Sequence, residues 1–212
     1  MKQSTEMIDM NIEIKELQKK DFKKVIEFAV KGMHFDRYTE NKWELDIYGR
    51  YFLYLELQRA SQVLAAYIED RLVGVLMADM KGEKKKYLSI WRKVYLFLIE
   101  KALSVGYKSG TDKYDEANQE MYSRYIKHNI PDGEICFLAA DSTVQGKGIG
   151  SCLLKRLEEL ERGKRIFLYT DSNCTYQFYE RKGFKRVEEK EIKLEIHGKE
   201  VPLVCYLYDK KL

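Results

Sequence analysis

Several features that define common protein classes are missing from the sequence. Its four cysteines form no CxxC pair, and three of them lie inside predicted strands or helices, as buried free thiols often do. The longest nearly apolar stretch, Val94 to Ile99, is far too short to span a bilayer. The 38 lysines and arginines against 34 aspartates and glutamates leave a net charge of +4, which is too mild to indicate nucleic-acid binding. The sequence therefore predicts neither a membrane span nor a nucleic-acid surface.

The N-terminus carries no signal-peptide pattern, and no internal repeat or low-complexity tract is evident. Together with the free thiols, this predicts a cytoplasmic protein. Apolar residues make up 45% of the chain and charged residues 34%, as in soluble globular proteins. We expect one domain across residues 1–212, with enough chain to bury a core without disulfides or metal.

The stretch from Glu134 to Leu160 organises the rest of the chain. It begins with an apolar run, Ile135 to Ala140, bounded by turn-forming residues on both sides, which predicts a buried strand. A glycine-rich turn, Gln145 to Gly150, comes next. Apolar residues then recur at helical spacing, at Ile149, Leu153, Leu154, Leu157 and Leu160. The unit is therefore a strand, a glycine turn and a helix.

The glycine turn is suited to bind phosphate. Gly146, Gly148 and Gly150 lack the Cβ atoms that would keep a ligand from the backbone. The first N–H groups of the following helix have no intrahelical partner, and the helix dipole and Lys147 both favour negative charge. A dinucleotide fingerprint would need glycine where Ser151 stands, and a P-loop would need a Gly-Lys-Ser/Thr ending, so the turn is neither of these motifs. Such a turn can also merely satisfy tight packing.

Two motifs resemble the GNAT N-acetyltransferase superfamily. The hexapeptide Gln145-Gly146-Lys147-Gly148-Ile149-Gly150 is similar to the family's Gln/Arg-x-x-Gly-x-Gly/Ala pyrophosphate loop, which also lies after a strand and before a helix. Downstream, the segment from Asn173 to Phe184 is similar to the family's Asn…Tyr-Glu-x-x-Gly-Phe segment. The resemblance implies an α/β (α+β) GNAT fold, with a mixed, mostly antiparallel sheet of about seven strands flanked by helices. It covers nearly the whole chain apart from an insert at about 80–133.

Hydrophobic periodicity predicts the elements before and after this unit. Asp21 is expected to cap a helix that runs to about Met33. A second helix, Tyr48 to Arg59, is expected to turn four side chains inward: Tyr48, Tyr51, Phe52 and Leu55. A short helix is expected to end at Lys182, before Gly183. Further strands are predicted at 11–17, 61–69, 72–79, 166–170, 184–195 and 201–208.

The insert departs from the family pattern, in which a short turn usually joins the third and fourth strands. Two helices are predicted there, from Tyr87 to Ser104 and from Tyr114 to His128, with a loop around Gly106 and Gly110. In the second helix, Ala117, Met121 and Tyr125 are spaced by four and are expected on its inner face. The insert could form a lid or wall over an acceptor amine. It could instead be a dimer face or simple padding, and a homodimer or other oligomer through its first helix stays open.

The resemblance implies acetyl-CoA as cosubstrate and no metal. The glycine turn would hold the pyrophosphate, and the free edge of the 135–141 strand would bind the pantetheine arm and the thioester oxygen. The residues expected to bind acetyl-CoA are Leu138, Ala139, Ala140, Gln145, Gly146, Lys147, Gly148, Ile149, Gly150, Ser151, Ser172, Asn173 and Phe178. Asn173 lies six residues before Tyr179 where the common pattern has seven, so Ser172 is an alternative to it.

Two side chains are candidates for catalysis. An alkyl ammonium has a pKa near 10.4, so the acceptor must lose a proton before it attacks. Glu134 starts the fourth strand, as the Glu-bearing segment does in the histone-type branch of the family, and is the candidate base; it could instead be a solvated strand start. Tyr179 matches the family tyrosine that faces the CoA sulfur and donates a proton to the leaving thiolate. It could instead be a packed helix aromatic.

We therefore expect an acetyl-CoA-dependent N-acetyltransferase that acts on a primary amine by direct transfer in a ternary complex. A small-molecule acceptor is favoured over a protein, although no residue pattern names the acceptor or the preferred acyl chain. The rival interpretations are a non-catalytic acyl-CoA-binding or sensor module and a protein N-acetyltransferase. No nucleic-acid or membrane partner is expected.

Overall fold

The computed structural model describes residues 11–37, 39–106, 111–144, 146–196 and 199–212. Gln145 of the glycine turn and Gly110 of the insert loop lie outside these residues. In the described part, strands and helices follow one another in the predicted order, with two helices between the third and fourth strands.

In the described ranges, seven strands form one mixed sheet in the order β1-β2-β3-β4-β5-β7-β6. Neighbouring strands are antiparallel, except that β4 and β5 run parallel. A helix joins this parallel pair, as a crossover connection requires. The strands are β1 (Ile12–Lys15), β2 (Gln62–Ile68), β3 (Arg71–Met80), β4 (Gly133–Ala140), β5 (Arg165–Asp171), β6 (Lys185–Ile196) and β7 (Lys199–Lys211).

Helices cover both faces of the sheet. They are α1 (Phe22–Gly32), α2 (Lys42–Arg59), α3 (Ile90–Gly106), α4 (Thr111–Tyr125), α5 (Ile149–Leu160) and α6 (Gln177–Arg181). Along β2, Ala65 packs in the cluster that contains α1 and α2, whereas Leu64 and Ala66 pack in the cluster that contains α5. Because successive strand residues point to opposite faces, α1 and α2 lie on one face and α5 lies on the other.

Gly74 in β3 allows α5 to approach the sheet closely. A Cβ atom at this position would lie 2.5 Å from the Ile149 side chain and 3.2 Å from the backbone oxygen of Ala139. The first turn of α5 is therefore pressed onto β3. This contact fixes where the glycine turn ends.

The predicted inner face of α2 is partly wrong. The helix begins at Lys42, six residues earlier than predicted, because Asn41 caps it by accepting a bond from the Trp43 N–H. Its buried residues are Gly49, Leu53, Glu56 and Leu57. Leu55 is 37% exposed, Tyr51 donates to Glu100 of α3, and only Phe52 of the expected set packs against Phe137 of β4. The inner face is set at Gly49, where a Cβ would lie 2.8 Å from Ile26 of α1.

Asp21 stands at the N-terminus of α1 but makes no side-chain cap, contrary to the prediction. Its carboxylate instead accepts a hydrogen bond of 2.8 Å from the hydroxyl of Tyr67. Tyr67 is buried in β2, and its phenol needs a partner there. The buried Tyr67 hydroxyl needs the Asp21 carboxylate as a hydrogen-bond acceptor more than the helix N-terminus does, which accounts for the missing cap.

The two helices of the insert pack differently. α4 buries Ala117, Met121 and Tyr125, the three residues predicted for its inner face, against β5, β6 and β7. α3 packs mainly on α2 and leaves Trp91 84% exposed. Among the residues described, none of the helices is both long enough and apolar enough to cross a membrane.

Candidate active site

The sheet opens between β4 and β5. Among the residues that the structure describes, these strands pair at only two positions, Gly133 with Ile166 and Glu134 with Phe167, at the start of β4. β4 nevertheless stays paired with β3 to its end, through a β-bulge near Cys136. Within the described chain, the backbone groups of β4 that face β5 beyond residue 134 therefore have no strand partner. The resemblance predicted a splay of this kind.

The glycine turn leads from the open end of β4 into α5. Gly146 and Gly148 have φ values of 81° and 80°, a left-handed conformation that residues with a Cβ rarely adopt. An added Cβ at either glycine would meet no protein atom within 4 Å, so the space beside the backbone is open to a ligand. Gly148 is also the N-cap of α5 and offers no side chain to the first helical N–H groups. The turn therefore fits an anionic group such as a pyrophosphate.

Asp141 links the end of β4 to the start of this turn. Its buried carboxylate accepts hydrogen bonds from Arg71 at 2.7 Å and from both the N–H and the hydroxyl of Thr143 at 3.0 and 2.9 Å. These donors, Arg71 first, hold the pKa of Asp141 well below its usual range. The strand end and the start of the turn are thus tied together by a carboxylate that stays ionised at neutral pH.

The residues expected to line the pantetheine and pyrophosphate sites are placed as follows. On β4, Leu138 and Ala139 are half-buried and Ala140 is exposed. In the turn, Lys147 is exposed and its backbone N–H donates to Val144 at 3.3 Å, while Gln145 lies outside the described residues.

In α5, Ile149 is buried in the core, so only its backbone is open to the turn; Gly150 and Ser151 are half-buried. A Cβ on Gly150 would lie 3.3 Å from the ring of Phe178. This contact brings α6 against the first turn of α5.

Ser172 and Asn173 both lie exposed after the end of β5. The Ser172 hydroxyl accepts a bond of 3.2 Å from the Val204 N–H, which ties it to β7. The Asn173 N–H donates to Asp171 at 2.8 Å, and no hydrogen bond of its side-chain amide is found in the described part of the chain. The Asn173 amide is thus open to a ligand, and the Ser172 hydroxyl, although tied to β7, still has its own hydrogen to donate.

Tyr179 lies on α6, on the α5 side of the sheet. Its ring packs edge-on against Phe178 and Phe184, with centroids 5.3 and 5.7 Å away. Burial raises the pKa of the Tyr179 hydroxyl above its usual value, so the group stays protonated at neutral pH. Between the described residues, no hydrogen bond to this hydroxyl is found.

Glu134 lies on the other face, in a half-buried group of charges. Arg59, at the end of α2, donates from Nη2 to Glu134 at 2.7 Å and from Nε to Glu56 at 2.8 Å. One guanidinium therefore serves two carboxylates, which we call the Glu56–Arg59–Glu134 triad. Burial raises the pKa of Glu134, and Arg59 opposes the shift; the same balance raises the pKa of Glu56 to about 7.

A cavity of about 280 Å³ opens beside Glu134. Two further charged residues, Asp79 and Lys81, and three aromatic residues line it: Tyr122, Phe167 and Tyr169. Tyr122 comes from α4, and its ring lies 5.1 Å from that of Phe167. Asp79 is the register partner of Glu134 and forms an ion pair with Lys85. The insert therefore supplies one wall of this cavity.

Sequence reasoning singled out Glu134 but not the residues around it. Glu56 and Arg59 are three apart on a helix, a spacing typical of a solvated surface pair. The available signal was the helical spacing of Gly49, Leu53, Glu56 and Ala60, which marks a face that includes Glu56. Tyr122 follows Met121 and is adjacent to the predicted inner stripe of its helix, so nothing distinguished it.

Comparisons with known proteins indicate the same family that the two motifs resemble. A family model described as an acetyltransferase (GNAT) domain matches residues 59–186. No curated protein sequence matches at a significant level. No group of three or more histidine, cysteine or acidic residues able to hold a metal ion occurs in the described ranges.

Many solved structures are similar to this chain. A histone acetyltransferase HPA2 and related acetyltransferase from Corynebacterium glutamicum is 16% identical, with a TM-score of 0.55 over 92% of this chain and 94% of that chain. The PaiA N-acetyltransferase of Thermoplasma acidophilum, in complex with coenzyme A, is 17% identical, with a TM-score of 0.52 over 96% of this chain and 100% of that chain. PH1933 from Pyrococcus horikoshii is 21% identical, with a TM-score of 0.54 over 95% and 99%. At these identities the likeness shows the fold.

Proposed function

The chain belongs to the GNAT acetyltransferase family, and from this premise we propose that it transfers the acetyl group of acetyl-CoA to a primary amine of a small molecule. The transfer is a direct attack in a ternary complex. The observation that carries the proposal is that one strand, β4, joins the left-handed glycine turn after its end, an unpaired side along its second half and the cavity at Glu134.

The residues present fit acetyl-CoA. The backbone of Gly146 to Ser151 holds the pyrophosphate, since no Cβ blocks the open side of Gly146 or Gly148. The unpaired N–H groups of β4 around Leu138 and Ala140 bind the pantetheine arm and the thioester oxygen. The side chain of Asn173 bonds the same arm, and Phe178 packs beside it. When bound, acetyl-CoA supplies the activated acetyl carbonyl.

Glu134 removes a proton from the acceptor ammonium, directly or through water. An alkyl ammonium has a pKa near 10.4, so an amine at neutral pH is nearly all charged and cannot attack. Burial makes Glu134 a stronger base than an exposed glutamate, because it raises the pKa. Arg59 fixes the direction of the carboxylate and keeps it from becoming protonated too readily.

Tyr179 assists departure of the CoA sulfur. Its raised pKa keeps the hydroxyl protonated, as a donor must be. A free thiol has a pKa of about 8.5, which is lower than the raised pKa of the Tyr179 hydroxyl. Tyr179 therefore acts mainly as a hydrogen-bond donor to the leaving thiolate, and the net proton comes from the amine.

The acceptor occupies the cavity beside Glu134. Its volume of about 280 Å³ suits a compact molecule better than a polypeptide segment. The wall formed by Tyr122 gives the insert a role as part of the acceptor site. The aromatic lining favours an apolar body attached to the amine.

The test is release of free thiol from acetyl-CoA with a panel of amines, using the wild type, Tyr179→Phe and Tyr176→Phe. Tyr176 lies at the N-cap of the same helix, and its ring packs on Tyr206 at 5.1 Å, so it controls for loss of a nearby phenol. We expect turnover on at least one amine, a fall in kcat of about 10²-fold in Tyr179→Phe, and little change in Tyr176→Phe.

Two results would contradict the proposal. Tight acetyl-CoA binding without thiol release on any amine would favour the non-catalytic sensor. Turnover on lysine peptides or protein N-termini alone would favour a protein N-acetyltransferase.

A further inference from the structure

The charges of the cavity beside Glu134 are distributed unevenly. Asp79 is paired with Lys85, which neutralises it. The Glu56–Arg59–Glu134 triad contains two carboxylates and one guanidinium, so it has a net negative charge whenever Glu56 is ionised. Its side of the cavity therefore attracts the cationic end of a ligand.

Lys81 supplies the opposite charge at the rim. Its ammonium has no carboxylate within ion-pair distance among the residues that the structure describes. Its backbone N–H donates to Asp132 at 2.8 Å, which fixes the start of the side chain beside Gly133. Lys81 is thus an uncompensated cation on the cavity wall.

The two charged ends lie on the same cavity, near the end of β3. Asp79 is the register partner of Glu134, and Lys81 lies two residues further along the chain. β3 ends at Met80, so Lys81 lies in the turn that follows, and two residues of chain separate its Cα atom from that of Asp79 by at most about 7 Å. Lys81 and Glu134 both line the cavity. A molecule with an ammonium and an anion a few bonds apart can therefore reach both ends.

We infer that the acceptor carries a carboxylate as well as its amine, so that the substrate is an amino acid or a similar amino-carboxylate with a compact apolar body. This inference rests on the proposed function and specifies its acceptor. The ammonium faces Glu134, the carboxylate binds Lys81, and the apolar body lies against Tyr122, Phe167 and Tyr169. The cavity volume is at the small end of the range for ligand sites, which limits the apolar body to roughly one ring.

The experiment compares amines that differ only in the carboxylate: phenylalanine with 2-phenylethylamine, and tyrosine with tyramine. Values of kcat and KM for the amine and for acetyl-CoA are measured for the wild type, Lys81→Met and Lys84→Met. Lys84 is an exposed lysine three residues away that does not line the cavity, so it is the matched control for charge. All three proteins are also compared by thermal unfolding.

The wild type should favour the carboxylate member of each pair by about five- to tenfold in kcat/KM, as one charge-assisted bond allows. Lys81→Met should remove this preference by raising KM for the amino acid, whereas Lys84→Met should retain it. Equal turnover of both members in the wild type would overturn the inference while leaving the proposed function intact. A Lys81→Met variant whose only change is a higher KM for acetyl-CoA would also overturn the inference. Absence of thiol release with every amine would overturn both.

Discussion

Replacing Glu56 with glutamine should change the pH dependence of folding. Glu56 is 5% exposed, and burial raises the pKa of its carboxyl from 4.5 to about 7 despite the bond from Arg59. Glutamine has the same shape, and its amide oxygen can still accept from Arg59. Arg59 also keeps its partner Glu134, so the substitution leaves no buried charge unpaired.

The magnitude follows from linkage between protonation and folding. The folded state binds the Glu56 proton more tightly than the unfolded state does, because the folded pKa is the higher one. The resulting stability is fully present below pH 4.5 and is lost as the pH rises through 7. A shift of this size, at 1.36 kcal/mol for each pH unit, corresponds to about 3 kcal/mol. Glu56→Gln has no carboxyl that titrates at this position, so its free energy of unfolding does not fall in this way as the pH rises.

The assay is urea denaturation at half-unit steps from pH 4.5 to pH 8.5. The free energy of unfolding of Glu56→Gln minus that of the wild type should rise by about 3 kcal/mol across this range. Glu116→Gln, which removes an exposed carboxylate from α4, is the matched control. A difference for Glu56→Gln that stays constant to within about 1 kcal/mol would refute the argument that burial governs this carboxyl.

Three further results are expected. Gly148→Ala should cost about 1–2 kcal/mol of stability because its φ is 80°, and acetyl-CoA affinity measured by calorimetry should fall as well; unchanged affinity would remove the turn from the binding site. Gly74→Ala should destabilise folding by about 1–3 kcal/mol in a urea titration, since its Cβ would lie 2.5 Å from Ile149; a neutral result would mean that α5 shifts without strain. Glu134→Gln should lower kcat/KM by about 10²-fold or more and abolish the acidic limb of the pH–rate profile; persistence of that limb would assign it to another group.

The strand, turn and helix around the glycine turn could be predicted because their signals are local. The run Ile135 to Ala140 is bounded by turn formers, and the glycines mark the start of a helix with regular apolar spacing. In α4, Met121 and Tyr125 were likewise predicted to be buried, because a spacing of four is specific to one helical face. These patterns depend on neighbours in sequence alone.

The surroundings of Glu134 could not be predicted, because they depend on contacts between distant segments. Arg59 and Glu134 are 75 residues apart, and their pairing exists only because the end of α2 lies over the start of β4. The inner face of α2 was predicted partly wrongly because aromatic residues outnumber small residues in this helix and were placed inward. Contact with α1 instead places Gly49 on the inner face. Tyr122 reaches the cavity only through the docking of α4, which no local pattern encodes.

The gap between β4 and β5 has a thermodynamic consequence. The sheet consists of a four-stranded part, β1 to β4, and a three-stranded part, β5 to β7, that meet in a seam of two residue pairs. A molecule bound along the gap satisfies backbone groups that the polypeptide itself leaves unpaired. Because such a molecule binds only the folded chain, each tenfold rise in its free concentration above Kd adds about 1.4 kcal/mol to the free energy of unfolding. The free concentration of the molecule that fills the gap thus contributes directly to the free energy of unfolding of the protein.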